Sequence, residues 1–125
     1  MLSEKLIEVI KHPSDGIIAI VTQGDSEPHV VNSWNSYIHI TKEDKLLLPV
    51  AGMKKTEENI EKNPKVLLTI GNRQVQGKMY AGTGFLINGT ANFLLNGPDF
   101  DMMKGKFEWL RAVLEITINS AEQTL

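Results

Sequence analysis

Lys54, Lys55 and Thr56 stand side by side in the run PVAGMKKTEENIEKNP (49–64), just ahead of a short helical pattern. A helix N-terminus already carries partial positive charge, so lysines in front of it work against the helix. An anion between them would remove the conflict. Two ammonium groups, a hydroxyl and the unpaired N–H groups of a helix start together suit a phosphate. Thr56 is expected to cap that helix, accepting from backbone N–H groups two or three residues on. The competing reading is plain surface, with Glu57 and Glu58 serving the helix dipole and the lysines solvated. The stretch is not a P-loop, because the Gly-rich run is missing.

A second stretch, NSWNSY (32–37), is polar or amphipathic on both faces if extended. Asn32, Trp34 and Ser36 would share one side, and Ser33, Asn35 and Tyr37 the other. Asn and Ser are poor strand formers, and a strand that breaks its own pattern often marks a site. Neutral donors and acceptors beside large rings fit a planar heteroaromatic with polar edges. Equally, Trp34 could anchor the core while the Asn and Ser side chains bind neighbouring loops. A third region, FEW (107–109) with the tail NSAEQTL (119–125), reads on its own as a packed Trp109 followed by a frayed end.

Other chemistry finds little support. There are no cysteines, so thiolate catalysis, disulfides and Cys-type metal sites are excluded. His12, His29 and His39 lack ligand spacing. No metal ligand and no catalytic acid, base or nucleophile is assigned. AGTGF (81–85) is a lone Gly-x-Gly, read as a turn entering a strand.

The elements that must hold these stretches are mostly strands. Residues 3–11 form an amphipathic helix capped by Ser3 and stopped at His12-Pro13. GIIAIVTQ (16–23) is nearly continuous apolar and β-branched, the pattern of a strand buried on both faces. HVVNSWNSYIHI (29–40), KLLLPV (45–50), KVLLTIGN (65–72), GFLINGTANFLL (84–95) and AVLEITINSA (112–121) are further strands. Gly89 is expected to mark a bend or bulge. A helix runs from Thr56 to Asn63-Pro64, and another lies within 96–109. Five or six strands joined by turns argue for a small antiparallel barrel or sandwich. Side chains fill so small a barrel. A sizeable ligand must then bind outside it, and a symmetric dimer is the simplest source of a second wall.

The chain has 125 residues, 42% apolar and 22% charged, which suits one globular domain over 1–125. A net charge of -2 argues against a nucleic-acid binder. Only Arg73 and Arg111 offer forked donors to phosphate-rich partners. No apolar run approaches the ~20 residues of a membrane span, and MLSEKLIEVIKH does not look like a signal peptide. The cytoplasm is the expected compartment.

Taken in order, NSWNSY, LLPVAGMKKTEEN, TGFLINGTANF, KFEW and SAEQTL resemble the small FMN-binding proteins of the split-barrel flavin-binding fold, a group related to the pyridoxamine 5′-phosphate oxidases. The resemblance covers nearly the whole chain. It implies a mainly β, six-stranded antiparallel Greek-key split barrel with short flanking helices. It also implies a homodimer, with non-covalent FMN in the groove between subunits.

Carried over, Lys55 and Thr56 hold the phosphate. Asn32, Ser33 and Asn35 bind phosphate, ribityl chain or ring edge. Trp34 and Tyr37 line the isoalloxazine, and the backbone at Pro49, Val50, Ala51 and Gly52 approaches its edge. Trp109 and the terminal Leu125 come from the other subunit. Ala51 stands where the motif often has a second glycine. Lys54 falls on a variable position, and RQVQGKMYAG (73–82) matches least.

The implied function is electron transfer through FMN, with an unidentified redox protein or small molecule as electron donor. The alternatives are a flavin-dependent oxidase or reductase of the same group, and a cofactor-free binding module or flavin store.

Overall fold

The computed structural model describes residues 2–125. Helix α1 spans Glu4–Lys11, and the Ser3 hydroxyl caps it by accepting from the Leu6 N–H at 3.2 Å. Leu6, Val9 and Ile10, spaced one helical turn apart, are its buried face. His12 turns out of helical geometry directly before Pro13, as that dipeptide requires.

Seven strands follow in one antiparallel sheet: β1 (Ile17–Gln23), β2 (Pro28–Trp34), β3 (His39–Ile40), β4 (Leu46–Val50), β5 (Lys65–Gln76), β6 (Ala81–Leu94) and β7 (Ala112–Gln123). Their order is β2-β1-β5-β6-β7-β4-β3. Helices α2 (Lys54–Lys62) and α3 (Pro98–Lys106) sit in the connections. Although β1 and β4 lie well apart in that order, Ile18 and Ile20 of β1 join Leu46, Leu48 and Val50 of β4 in one buried cluster. The sheet therefore curls around a shared core, and α1 adds Leu6, Val9 and Ile10 to it. Such a curl is the split-barrel architecture the sequence implies. The count differs by one short strand, because the expected run 29–40 is broken into β2, a 3-10 turn at Asn35–Tyr37, and β3.

Three other elements differ from expectation. β4, not β1, is the strand buried on both faces: all five of its residues are buried. A second cluster of Leu47, Met103, Leu110 and Val113 packs α3 over its outer side. On β1 only Ile18, Ile20 and Thr22 are buried. The segment AGTGF lies inside β6 instead of before it. The tail is also not frayed up to Gln123, since β7 pairs with β6 as far as Phe85↔Gln123.

Gly89 sits where the β6–β7 register shifts, as expected for a bulge. A Cβ there would come within 2.9 Å of the Thr117 carbonyl.

Candidate functional site

Helix α2 has its cap position three residues earlier than the capping argument predicts. Its N-cap is Met53, in the left-handed region at φ 57, and it offers no side-chain cap. Lys54 and Lys55 are therefore the first helical residues and Thr56 the third. The backbone N–H groups of all three point out of the helix start without an intrahelical acceptor. A left-handed methionine costs on the order of 1–2 kcal/mol. Strain of that kind at an uncapped helix start is a common mark of a ligand site.

Thr56 is 0% exposed, and its Oγ1 is buried without a hydrogen-bond partner among the described residues. An unsatisfied buried hydroxyl costs about 1–3 kcal/mol. Lys55 is exposed and reaches Glu58 only at 3.9 Å, a surface pair worth roughly 0–1 kcal/mol. Lys54 is exposed as well. Hydroxyl, N–H groups and ammonium thus meet at one helix start, a set of donors that could cradle an anion.

The turn leading into the helix is held by Arg111, the residue just before β7. The Arg111 N–H donates to the Val50 carbonyl at 2.9 Å. Its guanidinium donates from Nε to the Ala51 carbonyl at 2.9 Å and from Nη2 to the Gly52 carbonyl at 2.6 Å. Nη2 also meets Glu57 Oε1 at 2.8 Å. Pro49 and Val50 are buried in β4, whereas Ala51 and Gly52 are exposed. A Cβ built on Gly52 would meet nothing within 4 Å, so the space beside that backbone is open. Sequence reasoning passed over Met53, gave Glu57 only a helix-dipole role and assigned Arg111 no place at this turn. Only the rarity of arginine in this chain hinted at the last.

The NSWNSY stretch divides. Asn32 and Trp34 face outward, while Ser33 and Asn35 are buried. Asn35 is 2% exposed. Its N–H donates to the Gly16 carbonyl and its Nδ2 to the Gly71 carbonyl, leaving a buried, unpartnered Oδ1. Gly16 must be glycine for this to pack, since a Cβ there would lie 2.6 Å from Asn35 Nδ2. The N–H and hydroxyl of Ser36 both donate to Asp15. Burial pushes the Asp15 carboxyl up, but bonds from the Ser36 hydroxyl, the Ser36 N–H and the Gly16 N–H outweigh it and hold the carboxyl below its ordinary value. Asn35 and Ser36 therefore tie the α1–β1 junction to β2.

Tyr37 is half-buried in an aromatic group with Phe107 and Trp109. The ring centroids are 5.2 Å apart for Tyr37–Phe107 and 5.7 Å for Tyr37–Trp109. Trp109 and Tyr37 of one chain would thus enter any shared groove together.

Leu125 lies elsewhere. Its carbonyl accepts from the Thr83 hydroxyl at 2.8 Å, Gln123 Nε2 at 3.0 Å and the Lys78 N–H at 3.2 Å. Its neighbours line a cavity of about 560 Å³ at the β5–β6 turn, with Arg73, Met79 and Tyr80. A smaller one, about 240 Å³, places Leu125 beside Ile17 on the outer face of the sheet. Ile17 pairs with Trp34 across β1 and β2. Within one chain, then, Lys55, Thr56, Ala51 and Gly52 come together, Asn32 and Trp34 share an outer sheet face, and Leu125 edges that face from its far side.

That face is bare. Ile17 is 50% exposed, Val30 60%, Trp34 47% and Leu67 39%. Val30 pairs with Val21, and Val21 with Leu67, so the apolar surface is continuous across three strands. Among the described residues, no three His, Asp or Glu side chains cluster as metal ligands. Among the same residues, no helix is long and apolar enough to cross a membrane.

The chain is similar to several known proteins. The "FMN-binding protein" of Nitratidesulfovibrio vulgaris (strain Miyazaki F) is 47% identical over 125 residues, covering 100% of both chains. In structure, HupZ of Group A Streptococcus superposes with a TM-score of 0.79 at 16% identity, over 98% of this chain and 94% of that one. An FMN-binding protein of Syntrophomonas wolfei does so with a TM-score of 0.66 at 16% identity, over 86% of this chain and 76% of that one. At such identities these two structures speak for the fold alone. The family model described as pyridoxamine 5′-phosphate oxidase matches residues 2–124, and with the full-length relative it shows that the chain belongs to the pyridoxamine 5′-phosphate oxidase-like family.

Proposed function

We propose that the chain, as a single split-barrel domain over residues 1–125, is a cytoplasmic FMN-binding flavoprotein. In this reading it passes electrons by way of FMN held without a covalent bond at a homodimer interface. The observation that carries the reading is the uncommitted anion cradle at the start of α2. Its orphaned, buried Thr56 hydroxyl and uncapped N–H groups fit a phosphate monoester. The full-length relative named for FMN supports the same choice.

Lys55 and Thr56 bind the phosphate. Asn32 and Ser33 serve the phosphate, ribityl chain or ring edge. Asn35 serves through its unpartnered Oδ1, an acceptor that suits a ribityl hydroxyl or a ring N–H and not the phosphate. Trp34 lines the ring, and so does Tyr37, which enters the groove beside Trp109 of its own chain. The backbone of Pro49, Val50, Ala51 and Gly52 runs along its edge, where the open side of Gly52 leaves room. Trp109 and Leu125 of a second copy cover the ring. Bound FMN supplies the redox chemistry, and the protein supplies binding, orientation and exclusion of water.

The homodimer is supported by the bare outer face of β2, β1 and β5. β1 has the near-continuous apolar sequence of a strand covered on both sides, yet its own chain covers only one. Arg111, the cation beside the Ala51 and Gly52 carbonyls, is already paired with Glu57. The ring edge therefore gains little net positive charge, and the bound flavin is expected to favour its oxidised form.

A second reading, a flavin-dependent oxidase or reductase, is favoured by the oxidase description of the family. One experiment separates the two. The FMN-loaded protein should show oxidised-flavin absorbance that bleaches and returns with a chemical reductant and oxygen. Peroxide formed from pyridoxamine 5′-phosphate, or bleaching by NADH, would favour the oxidase or reductase. A colourless protein that takes up no FMN would overturn both.

A further inference from the structure

Arg111 is committed to four contacts that all converge on the start of α2. Its own N–H holds Val50 and its guanidinium holds the carbonyls of Ala51 and Gly52, while Nη2 pairs with Glu57. The guanidinium also lies 6.0 Å from the centre of the Phe93 ring. The Glu57 N–H in turn donates to the Met53 carbonyl at 2.9 Å. Arg111, the residue just before β7, thus clamps the end of β4, the strained turn and the first turn of α2.

We propose that the Arg111–Glu57 pair positions the phosphate site and masks its charge, and so sets the preference for FMN over flavins without a phosphate. This rests on the FMN reading above.

The argument has two parts. The planar fork reaches two adjacent carbonyls at once, and a point-like ammonium cannot do the same. With the fork in place, the turn keeps Met53 left-handed and the N–H groups of Lys54, Lys55 and Thr56 pointing outward. The second part concerns charge. Glu57 lies in the first turn of α2, where a carboxylate is drawn to the positive end of the helix. Left unpaired, it would compete with a phosphate for those donors and repel it over a distance well within the ~8–10 Å screening length. Pairing with Arg111 removes that competitor.

The test is a fluorescence titration of wild type, Arg111→Gln, Arg111→Lys, Glu57→Gln and the double variant Arg111→Gln/Glu57→Gln with FMN and with riboflavin. Thermal melts of the ligand-free proteins identify any variant that fails to fold. Arg111→Gln is expected to weaken both flavins, and FMN about tenfold more than riboflavin. Adding Glu57→Gln should restore most of the lost preference without restoring the shared loss. Arg111→Lys should keep the preference, because it keeps the charge, but bind both flavins less tightly, because it loses the fork. Glu57→Gln alone should keep or widen the preference, and it serves as the informative variant if Arg111→Gln does not fold.

Equal weakening of both flavins in Arg111→Gln, with no effect of the second change, would reduce Arg111 to a structural residue and overturn the proposal. Unchanged binding of both would do the same, as would a Glu57→Gln variant that loses the preference. A wild type that binds neither flavin would instead overturn the FMN reading beneath it.

Discussion

Asn59 donates from Nδ2 to the hydroxyl of Thr22 across 3.0 Å, and both side chains are buried. This one bond ties the last turns of α2 to β1 and so contributes to the direction in which the helix start points. The exposed pair Lys62–Asp25, at 3.3 Å, adds little. Thr22→Val would leave the amide of Asn59 buried without its partner. A loss of about 1–3 kcal/mol in unfolding free energy is expected, measured by urea denaturation of the ligand-free protein. An unchanged midpoint and slope would show that the bond does not hold the helix.

Thr56→Val should move stability and binding in opposite directions. It removes a buried hydroxyl with no partner, so the ligand-free protein is expected to gain stability, by up to about 1–3 kcal/mol. FMN affinity should fall, because the hydroxyl is part of the cradle. A variant that loses stability and keeps its affinity would contradict the role given to Thr56.

Lys55→Ala should weaken FMN binding by about 1–3 kcal/mol, the range of a charge-assisted contact. Lys54→Ala should matter less. Isothermal titration of both variants decides it. Equal effects would mean that the two lysines act only as a general positive surface.

These sites were unequally legible in the sequence. The lysine pair stood out because its charge conflicts with a helix start, and the threonine because it could cap one. The true cap did not, because nothing in a lone methionine announces a left-handed backbone. With a strand expected to run through them, Asn35 and Ser36 suited a planar ring and neighbouring loops equally, and the resemblance carried over Asn35 alone as a ligand. A 3-10 turn instead commits their donors to Gly71 and Asp15, contacts 36 and 21 residues away in sequence that no local pattern encodes. β4 and β1 were interchanged in burial for a similar reason. Both are apolar runs, and what separates them is that α3 lies over the outer face of β4, while among the described residues the outer face of β1 stays partly open. The barrel itself was readable, because alternation and turn residues recur along the whole chain. Arg111 was not, because its partners belong to β4 and α2.

The bare face of β2, β1 and β5 predicts self-association. Leu67→Glu or Val30→Asp would place a charge in that surface without touching the cradle. Sedimentation is expected to show a dimer for wild type and a monomer for the variants, with FMN affinity falling alongside. A wild type that is monomeric and binds FMN tightly would remove the dimer from the account.

Acid stability should depend on Asp15. Its carboxyl is held below its ordinary 3.8 in the folded protein, so the unfolded chain binds the proton more tightly. Stability from this group is then full above 3.8 and is lost as pH falls through the lower folded value. Asp15→Asn should flatten the fall in stability below that point, as seen in denaturation midpoints against pH. His39 works in the same direction at higher pH. Burial, then Lys106, depress it below 6.5, with Lys11 adding to the effect and Asp99 opposing it. Protonation therefore favours the unfolded chain as pH drops below 6.5, and His39→Gln should remove that part of the profile.

The most direct test of the central claim is a titration of the ligand-free protein with FMN, followed by quenching of flavin fluorescence. The account predicts saturation at one FMN per chain, with strong quenching by the nearby Trp34. Fluorescence that climbs as if FMN were free in buffer, with no saturation, would contradict it.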